Sequence, residues 1–498
     1  MIEHHFAAVL AMIGIVIIVS SLLSGAIERS GLPEVAIFLL VGIVLGPSGL
    51  GLVDFGLHSP TLEVIATLAL LLVLFIDAIG ADIGEIRQQW RLATLILGPG
   101  TLLPAALLAL AAWLLLDLSL PLAAILGAAL ASTDPVLLRS LVRHPDLPPS
   151  ARLGLRIESG MNDAILLPVV VLAMLALYSG GEAPANGVAR HVVGLFLLGP
   201  ALGALTGYVA ITLLDQVRRR VGVRRDYESL YALGVAFTAF AVAETVGGSG
   251  FLAAFAAGLV IAALDVELCD CFLDYGEASA EMFLLLTFVA FGTGLIWTGL
   301  SVAGNWRILL FAVLALLVRT AVLWPVLARA GIDQGSRRLI ALFGPRGLSS
   351  LLLVLLPVFA RIPGAERLFV VTCLAVLLSV VVHGGGIALY LRRAGAAGAA
   401  PAPAGVAGPA ARRARPAPSV PDAAQEEPDA PERITIDELR RLQRSGAPVI
   451  VADVRTERSY RDDPNIAAGA IRLPPDDAVR LARERRLDQH ATLVLYCA

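Results

Sequence analysis

Residues 129–168 read ALASTDPVLLRSLVRHPDLPPSARLGLRIESGMNDAILLP. Hydrocarbon bounds the stretch on both sides, LPLAAILGA (120–128) before it and VVVLAMLAL (169–177) after it. Inside it lie Thr133, Asp134, Glu158, Ser159, Asn162 and Asp163. Ionisable groups within an apolar span are costly, and by default they mark a functional site. Pro135 follows Asp134 at once. Proline removes an amide donor and clashes with the turn before it, so a helix here breaks and frees carbonyl oxygens beside an acid. Glu158 and Asn162 are four residues apart, as are Ser159 and Asp163, so each pair shares a helix face. The two neighbouring stripes are rich in oxygen, which suits a hard cation.

The rest of the chain sets the context for these residues. Of its 498 residues 57% are hydrophobic and 16% charged, far from the balance of a soluble domain. A net charge of −3 gives no reason to expect a nucleic-acid partner. All 38 basic residues are arginine. The four cysteines, Cys269, Cys271, Cys373 and Cys497, give no disulfide framework, and the CDC at 269–271 without a nearby histidine is a weak metal motif. The opening MIEHH lacks the basic region of a signal peptide, so the first apolar run is expected to remain as a span.

A span needs about 20 apolar residues. Thirteen runs qualify, near 6–27, 34–53, 61–81, 92–116, 119–141, 153–178, 190–214, 228–247, 250–265, 281–300, 306–328, 338–360 and 367–391. With the N-terminus outside, the inner loops collect Arg29, Arg87, Arg91, Arg139, Arg143, Arg152, Arg156, the arginines of RRRVGVRR (218–225), Arg329, Arg337 and Arg338. Only Arg190, Arg307, Arg361 and Arg367 fall outside, an asymmetry that obeys the positive-inside rule and puts the C-terminus in the cytoplasm.

Other polar positions interrupt the runs. In ALFGPRGLSSLLLVLLP (341–357), Gly344, Pro345 and Gly347 break an apolar helix around Arg346. Interrupted helices in corresponding positions of two halves point to a transporter site; no residue-level repeat is visible, so the symmetry rests on the breaks. Arg319 in LALLVRTAVLWP (314–325) needs a buried acid partner, and Glu158 is the candidate. Asp77 in LLLVLFIDAIGADI (70–83) is either a cation-path acid or an inner-end residue. Glu244 reads as peripheral, and His383 as a packed or hydrogen-bonded histidine.

Taken together, STDP, ESGMND, GSGFLAAFAAGL (248–259), Arg319 and GPRG resemble the electroneutral sodium/proton antiporters, monovalent cation:proton antiporter family 1, over roughly 6–392. The resemblance implies an all-α polytopic membrane protein of about thirteen transmembrane helices in an inverted-repeat fold, with two broken crossing helices, a moving core domain and a dimerisation domain. It implies an ion site at Thr133, Asp134, Asn162 and Asp163, with Ser159 as a further ligand and Na+ held by Asp134, Ser159, Asp163 and the carbonyl of Thr133. It maps a structural ion pair to Glu158 and Arg319, a third-helix acid to Asp77 and a broken-helix arginine to Arg346. Asn162 and the absence of lysine favour the electroneutral branch over the electrogenic one. The expected activity is exchange of Na+, or Li+ or K+, for H+ by alternating access, with both ions competing for one set of carboxylates. No cofactor is expected; the partners are monovalent cations, protons, the bilayer and a second copy in a homodimer. The expected location is the bacterial inner membrane. A cation channel built on the same acids is the rival reading.

Composition changes after Arg393. Residues 394–432 are rich in Ala, Pro and Gly and read as a disordered linker. From 433 to 498 helix and strand patterns alternate: TIDELRRLQRSG (435–446), PVIVADVR (448–455), AGAIRLP (468–474), DDAVRLARERRL (476–487) and ATLVLYCA (491–498), a small cytoplasmic α/β domain. This region resembles a rhodanese domain, in which Cys497 matches the persulfide-bearing cysteine. The chain stops one residue past it, so sulfur transfer is not expected and the domain reads as incomplete and regulatory. A membrane-anchored sulfurtransferase is the rival of another class.

Overall fold

Apolar helices make up almost all of the described residues before 399. The structure is a computed structural model, and it describes residues 10–22, 34–81, 83–144, 147–178, 192–221, 225–264, 270–398 and segments of 439–496. The chain divides into two compact units, Met1–Ala402 and Pro403–Ala498.

In the first unit the helices are α1 (Leu10–Leu22), α2 (Glu34–Leu45), α3 (Pro60–Ile79), α4 (Ile83–Gln88), α5 (Trp90–Leu97), α6 (Pro99–Leu116), α7 (Leu120–Ala131), α8 (Pro135–Val142) and α9 (Pro149–Tyr178). There follow α10 (Gly199–Arg220), α11 (Arg225–Thr245), α12 (Gly250–Ala263), α13 (Asp270–Gly292), α14 (Thr298–Ser301), α15 (Trp306–Val326), α16 (Gln334–Leu342), α17 (Leu348–Phe359), α18 (Ala365–Ser379) and α19 (Gly385–Gly398). Among the described residues seven helical segments are long and apolar enough to cross a membrane. One bent pair joins them, Gly276–Gly292 and Leu295–Ser301, kinked by 57°.

Lipid tails are as apolar as leucine, so packing rather than hydrophobicity must hold such helices together, and small residues allow it. Gly199, Gly203 and Gly207 of α10 recur every fourth residue and bring that face onto Ser249, Ala253 and Ala257, at and within α12. A Cβ on Gly203 would stand 2.0 Å from the Ala253 carbonyl oxygen. Gly42 of α2 and Gly292 of α13 meet in the same way. Around them α3 packs on α12 and α13, while α10, α11 and α12 pack on one another. A second set of contacts links α7 to α6, α9 and α17, and α15 to α6 and α18.

Besides that bent pair, two interruptions among the described residues fall at the polar positions. The first break, Ser132–Asp134, separates α7 from α8, with Ser132 and Asp134 in extended backbone. The second, 343–347, separates α16 from α17. Both coincide with the proline and glycine positions in the sequence. Elsewhere ordinary capping applies: Asp333 accepts from the Ser336 amide (2.8 Å) to start α16, and Asn305 accepts from Arg307 (3.0 Å) to start α15. Glu244, exposed as expected, accepts from the Gly250 amide (2.8 Å) and steadies the start of α12.

In the second unit the described residues form a parallel sheet, ordered β2-β1-β3, from β1 (Val449–Asp453), β2 (Ile471–Arg472) and β3 (Thr492–Tyr496), with α20 (Ala478–Glu484) between the last two strands. Asp453 ends β1 fully buried. Hydrogen bonds from Arg455 (Nε 3.0 Å, Nη2 2.7 Å), aided by the charge of Arg472, hold its carboxyl below the usual range. Of the helix expected at 435–446 only residues 439, 440 and 442 are described, as helical; most of the linker and Cys497 lie outside the described residues, and α19 itself continues to Gly398.

Candidate functional site

The two breaks cross, and each supplies what the other lacks. A helix start leaves N–H groups unpaired, and a helix end leaves carbonyls unpaired. Asp134 serves two helix starts at once. Its Oδ1 accepts from the amides of Val136 (2.7 Å) and Leu137 (3.4 Å) at the head of α8. Its Oδ2 accepts from the Leu348 amide (2.6 Å) at the head of α17. The Asp134 amide donates to the Pro345 carbonyl (2.9 Å), a direct backbone link between the breaks. Negative charge at a helix N-terminus is favoured by the helix dipole, and here one carboxylate meets two.

The helix ends are served by arginines. Nη1 of Arg346 donates to the carbonyls of Ala131 (2.7 Å) and Ser132 (2.8 Å), and reaches Thr133 Oγ1 at 3.5 Å. Two carbonyls freed by the proline break are therefore taken by a side chain from the opposite break. Arg319 does the same for α16, donating to Ala341 (Nη1, 3.0 Å) and Ile340 (Nη2, 2.7 Å). Arg319 also grips Glu158 with two parallel bonds, Nε–Oε1 and Nη2–Oε2, each 2.5 Å. Thr133 Oγ1 donates to Glu158 Oε1 (3.0 Å), so the pair is tied to the first break. Glu158 and Arg319 are 3% and 2% exposed, so this is a fully buried ion pair of the bidentate kind.

Glycine is required where these groups pass the backbone. A Cβ on Gly344 would lie 2.2 Å from the Arg319 guanidinium, and one on Gly347 1.7 Å from Asp134 Oδ2. Gly347→Ala is expected to push Asp134 off the Leu348 amide, at a cost of about 1–3 kcal/mol. The thermal unfolding midpoint of the purified protein checks this. Gly56→Ala, at a position with nothing within 4 Å, is the control expected to leave the midpoint unchanged.

Asp163 lies buried beside the crossing, on α9. Ser132, the residue that ends α7, donates its hydroxyl to Asp163 Oδ1, and Ser349, in the first turn of α17, reaches the same carboxylate. Asp163 is thus addressed from both broken helices. Ser159, one turn earlier, donates to the Leu155 carbonyl (2.9 Å), which leaves its oxygen lone pairs open. Both polar atoms of the Asn162 amide are buried without a hydrogen-bond partner, as are Nε and Nη2 of Arg346 and the Ser350 hydroxyl. Unpaired polar groups in a protein interior are expensive and call for an explanation.

A cavity of about 430 Å³ leads toward this cluster from the end of the bundle that carries Arg139, Arg143, Arg152 and Arg156. Asp77, Pro135, Ser159 and Gly160 line it, and Ser159 is one helical turn from Asp163. Asp77 packs against α9: the Cβ position of Gly160 is 3.5 Å from that of Asp77. Two ion pairs lie among the cavity's lining residues, Arg139 to Glu281 (2.5 Å) and Arg143 to Glu277 (3.7 Å), and join α8 and its C-terminal cap to α13.

The structure brings together Thr133, Asp134, Glu158, Ser159, Asn162, Asp163, Arg319 and Arg346, with Asp77 on the cavity wall. Sequence reasoning passed over Ser132, Ser349 and Ser379. The available signal was position: Ser132 opens the first break and Ser349 stands in the first turn after the second. Among the described residues no group of three or more His, Cys, Asp and Glu side chains could hold a metal in the manner of a resident cofactor.

Known proteins resemble this chain in fold or in sequence. The solved sodium proton antiporter MjNhaP1 from Methanocaldococcus jannaschii superposes with a TM-score of 0.62 at 17% identity, covering 76% of this chain and all of that one. The K(+)/H(+) antiporter NhaP2 of Shewanella oneidensis is 28% identical over 388 residues, 76% of this chain and 65% of that protein. The Na(+)/H(+) antiporter NhaS2 of Synechocystis is 26% identical over 253 residues. The chain thus spans 65% of the length of the NhaP2 relatives it matches. The family described as sodium/hydrogen exchanger, transmembrane, matches residues 15–393, which hold both broken helices, the buried acids and their arginines, and the chain belongs to that family.

Proposed function

We propose that the chain exchanges a monovalent cation for H+ across a membrane by alternating access, without net charge movement. One observation carries the reading: a buried carboxylate, Asp163, sits at the crossing of two broken helices, one turn beyond a cavity that runs in from one end of the bundle. A desolvated carboxylate favours whichever partner neutralises it. Proton and cation compete for Asp163, and an empty, charged site is the state least able to cross the apolar interior. Coupling follows from that competition.

In this scheme the cation binds Asp163, with Ser159 and the Thr133 carbonyl as neutral ligands and Asp134 supplying charge at the break. Asn162 offers its unpartnered amide oxygen, and Asp77 draws cations along the cavity wall. Glu158 and Arg319 carry no ion; they hold α9 against the crossing. Na+ is the first cargo to test, and K+ is the alternative favoured by the name of the Shewanella relatives. The seven long segments, the bent pair and the five shorter apolar helices support a count of thirteen spans. The arginine-rich end then faces the cytoplasm of a bacterial inner membrane, the N-terminus lies outside, and two copies form a dimer. The C-terminal unit is a cytoplasmic rhodanese-like module in which no sulfur transfer is invoked, so the protein acts as a transporter rather than an enzyme.

Everted vesicles with a pH-sensitive dye test the reading, with Na+, Li+ and K+ added in turn. Saturable dequenching by at least one ion is expected, at a rate indifferent to an imposed membrane potential. No dequenching with any of the three would sink the exchange reading, and a potential-dependent rate would sink electroneutrality.

A further inference from the structure

His383 is buried, 8% exposed, and plays no part in the exchange scheme above. It sits in a wide π turn, Val380–Gly384, between α18 and α19, a feature that recurs at functional positions. Its Nδ1 lies 3.0 Å from the Ser379 hydroxyl. The same hydroxyl oxygen accepts the backbone N–H of Arg346 at 2.6 Å. Arg346 lies inside the second break, where no helical carbonyl is available for its amide, so Ser379 fills an obligatory role.

The donors and acceptors fix the direction of this chain. Ser379 has accepted from Arg346 and has one hydroxyl proton to give. If His383 carried its proton on Nδ1, both neighbours would donate to Ser379, and that hydroxyl proton would have no partner among the described bonds. With the proton on Nε2, Nδ1 accepts from Ser379, and the Ser379 hydroxyl both accepts from Arg346 and donates to His383. Within two residues of the Arg346 amide lie both backbone links of the crossing, the Pro345 carbonyl that takes the Asp134 amide and the Leu348 amide that meets Asp134 Oδ2. The Arg346 side chain carries the cap of α7.

We propose that His383 is a positioning residue for the crossing: through Ser379 it sets the pose of Arg346 and thereby of Asp134 and the site beside it. The functional part of this inference rests on the exchange reading. The structural part does not.

Four variants test it: His383→Asn, whose Oδ1 takes the place of Nδ1; His383→Phe, a ring without an acceptor; Ser379→Ala; and Ser379→Ala with His383→Phe. In dye-loaded vesicles the cation concentration for half-maximal exchange should rise about tenfold for the phenylalanine and alanine variants, the scale of one lost buried hydrogen bond. The asparagine variant should stay within about twofold of wild type. The double variant should be no worse than Ser379→Ala, because both changes cut the same link. Hydrogen exchange of the 343–350 peptide, read by mass spectrometry, should quicken in the phenylalanine and alanine variants and not in the asparagine one. Ser379→Ala removes a single oxygen and reads the same link should His383→Phe not accumulate. A phenylalanine variant like wild type, an asparagine variant as impaired as phenylalanine, or an additive double variant would each overturn the proposal. Were wild type to show no exchange, the antiport reading would fall, and the peptide measurement would still decide whether His383 holds the break.

Discussion

Asp163→Asn is expected to reduce cation-driven proton movement to the background of empty vesicles while leaving the protein folded. The amide keeps an oxygen where Ser132 donates, so the bond from the end of α7 survives in kind. Stability should therefore change by no more than about 1 kcal/mol. What is lost is titration: an amide cannot alternate between proton and cation as a carboxylate does. Normal thermal unfolding with absent flux is the informative combination. Saturable exchange surviving in the variant would remove Asp163 from the ion path and transfer the role to Asp134 or Asp77.

The second large effect is on stability. Arg319→Met should destabilise the protein by about 3–5 kcal/mol, because it leaves the Glu158 carboxylate buried without its counter-charge. It also takes the arginine's donors from the Ile340 and Ala341 carbonyls at the end of α16, leaving Ala341 only the Thr320 hydroxyl (2.9 Å). Glu158→Gln should cost less, since Arg319 keeps those two carbonyls. The double variant Glu158→Gln with Arg319→Met should be more stable than Arg319→Met alone, because the Glu158 carboxylate is then no longer left as a lone charge. Unfolding midpoints in one detergent give the ranking. An Arg319→Met protein that melts with wild type would show that the pair does not support the crossing.

The sequence was most legible where chemistry admits few options. A lone arginine in hydrocarbon demands an acid, and Glu158 and Arg319 do meet. Proline after Asp134 and glycine around Arg346 marked both breaks, because neither residue fits a helix interior. The serines were less legible. Serine and threonine in apolar helices usually turn back on a carbonyl four residues earlier, as Ser159, Thr287 and Thr372 do here. Ser132 and Ser379 depart from that habit only because tertiary contacts bring Asp163 and Arg346 to them. The capping exchange, with Asp134 serving two helix starts and Arg346 the opposite helix end, was likewise invisible, since it depends on how the two breaks cross. Short helices such as α12 blurred the count of spans, since composition alone cannot separate a short crossing helix from a buried one.

The division of charge along the chain bears on how the protein is made. The buried acids at the crossing, Asp134, Glu158 and Asp163, all precede α13, and the buried arginines, Arg319 and Arg346, all follow it. A ribosome delivers the first set many residues before the second. Until α15 and α17 enter the bilayer, the early helices hold acids whose partners have not been synthesised, at a cost of about 2.5–3.5 kcal/mol for a charged residue at mid-bilayer. Insertion therefore favours keeping the early helices in the translocation machinery until the arginines arrive. The broken-helix crossing can close only late in biogenesis, when the second half of the chain docks onto the first.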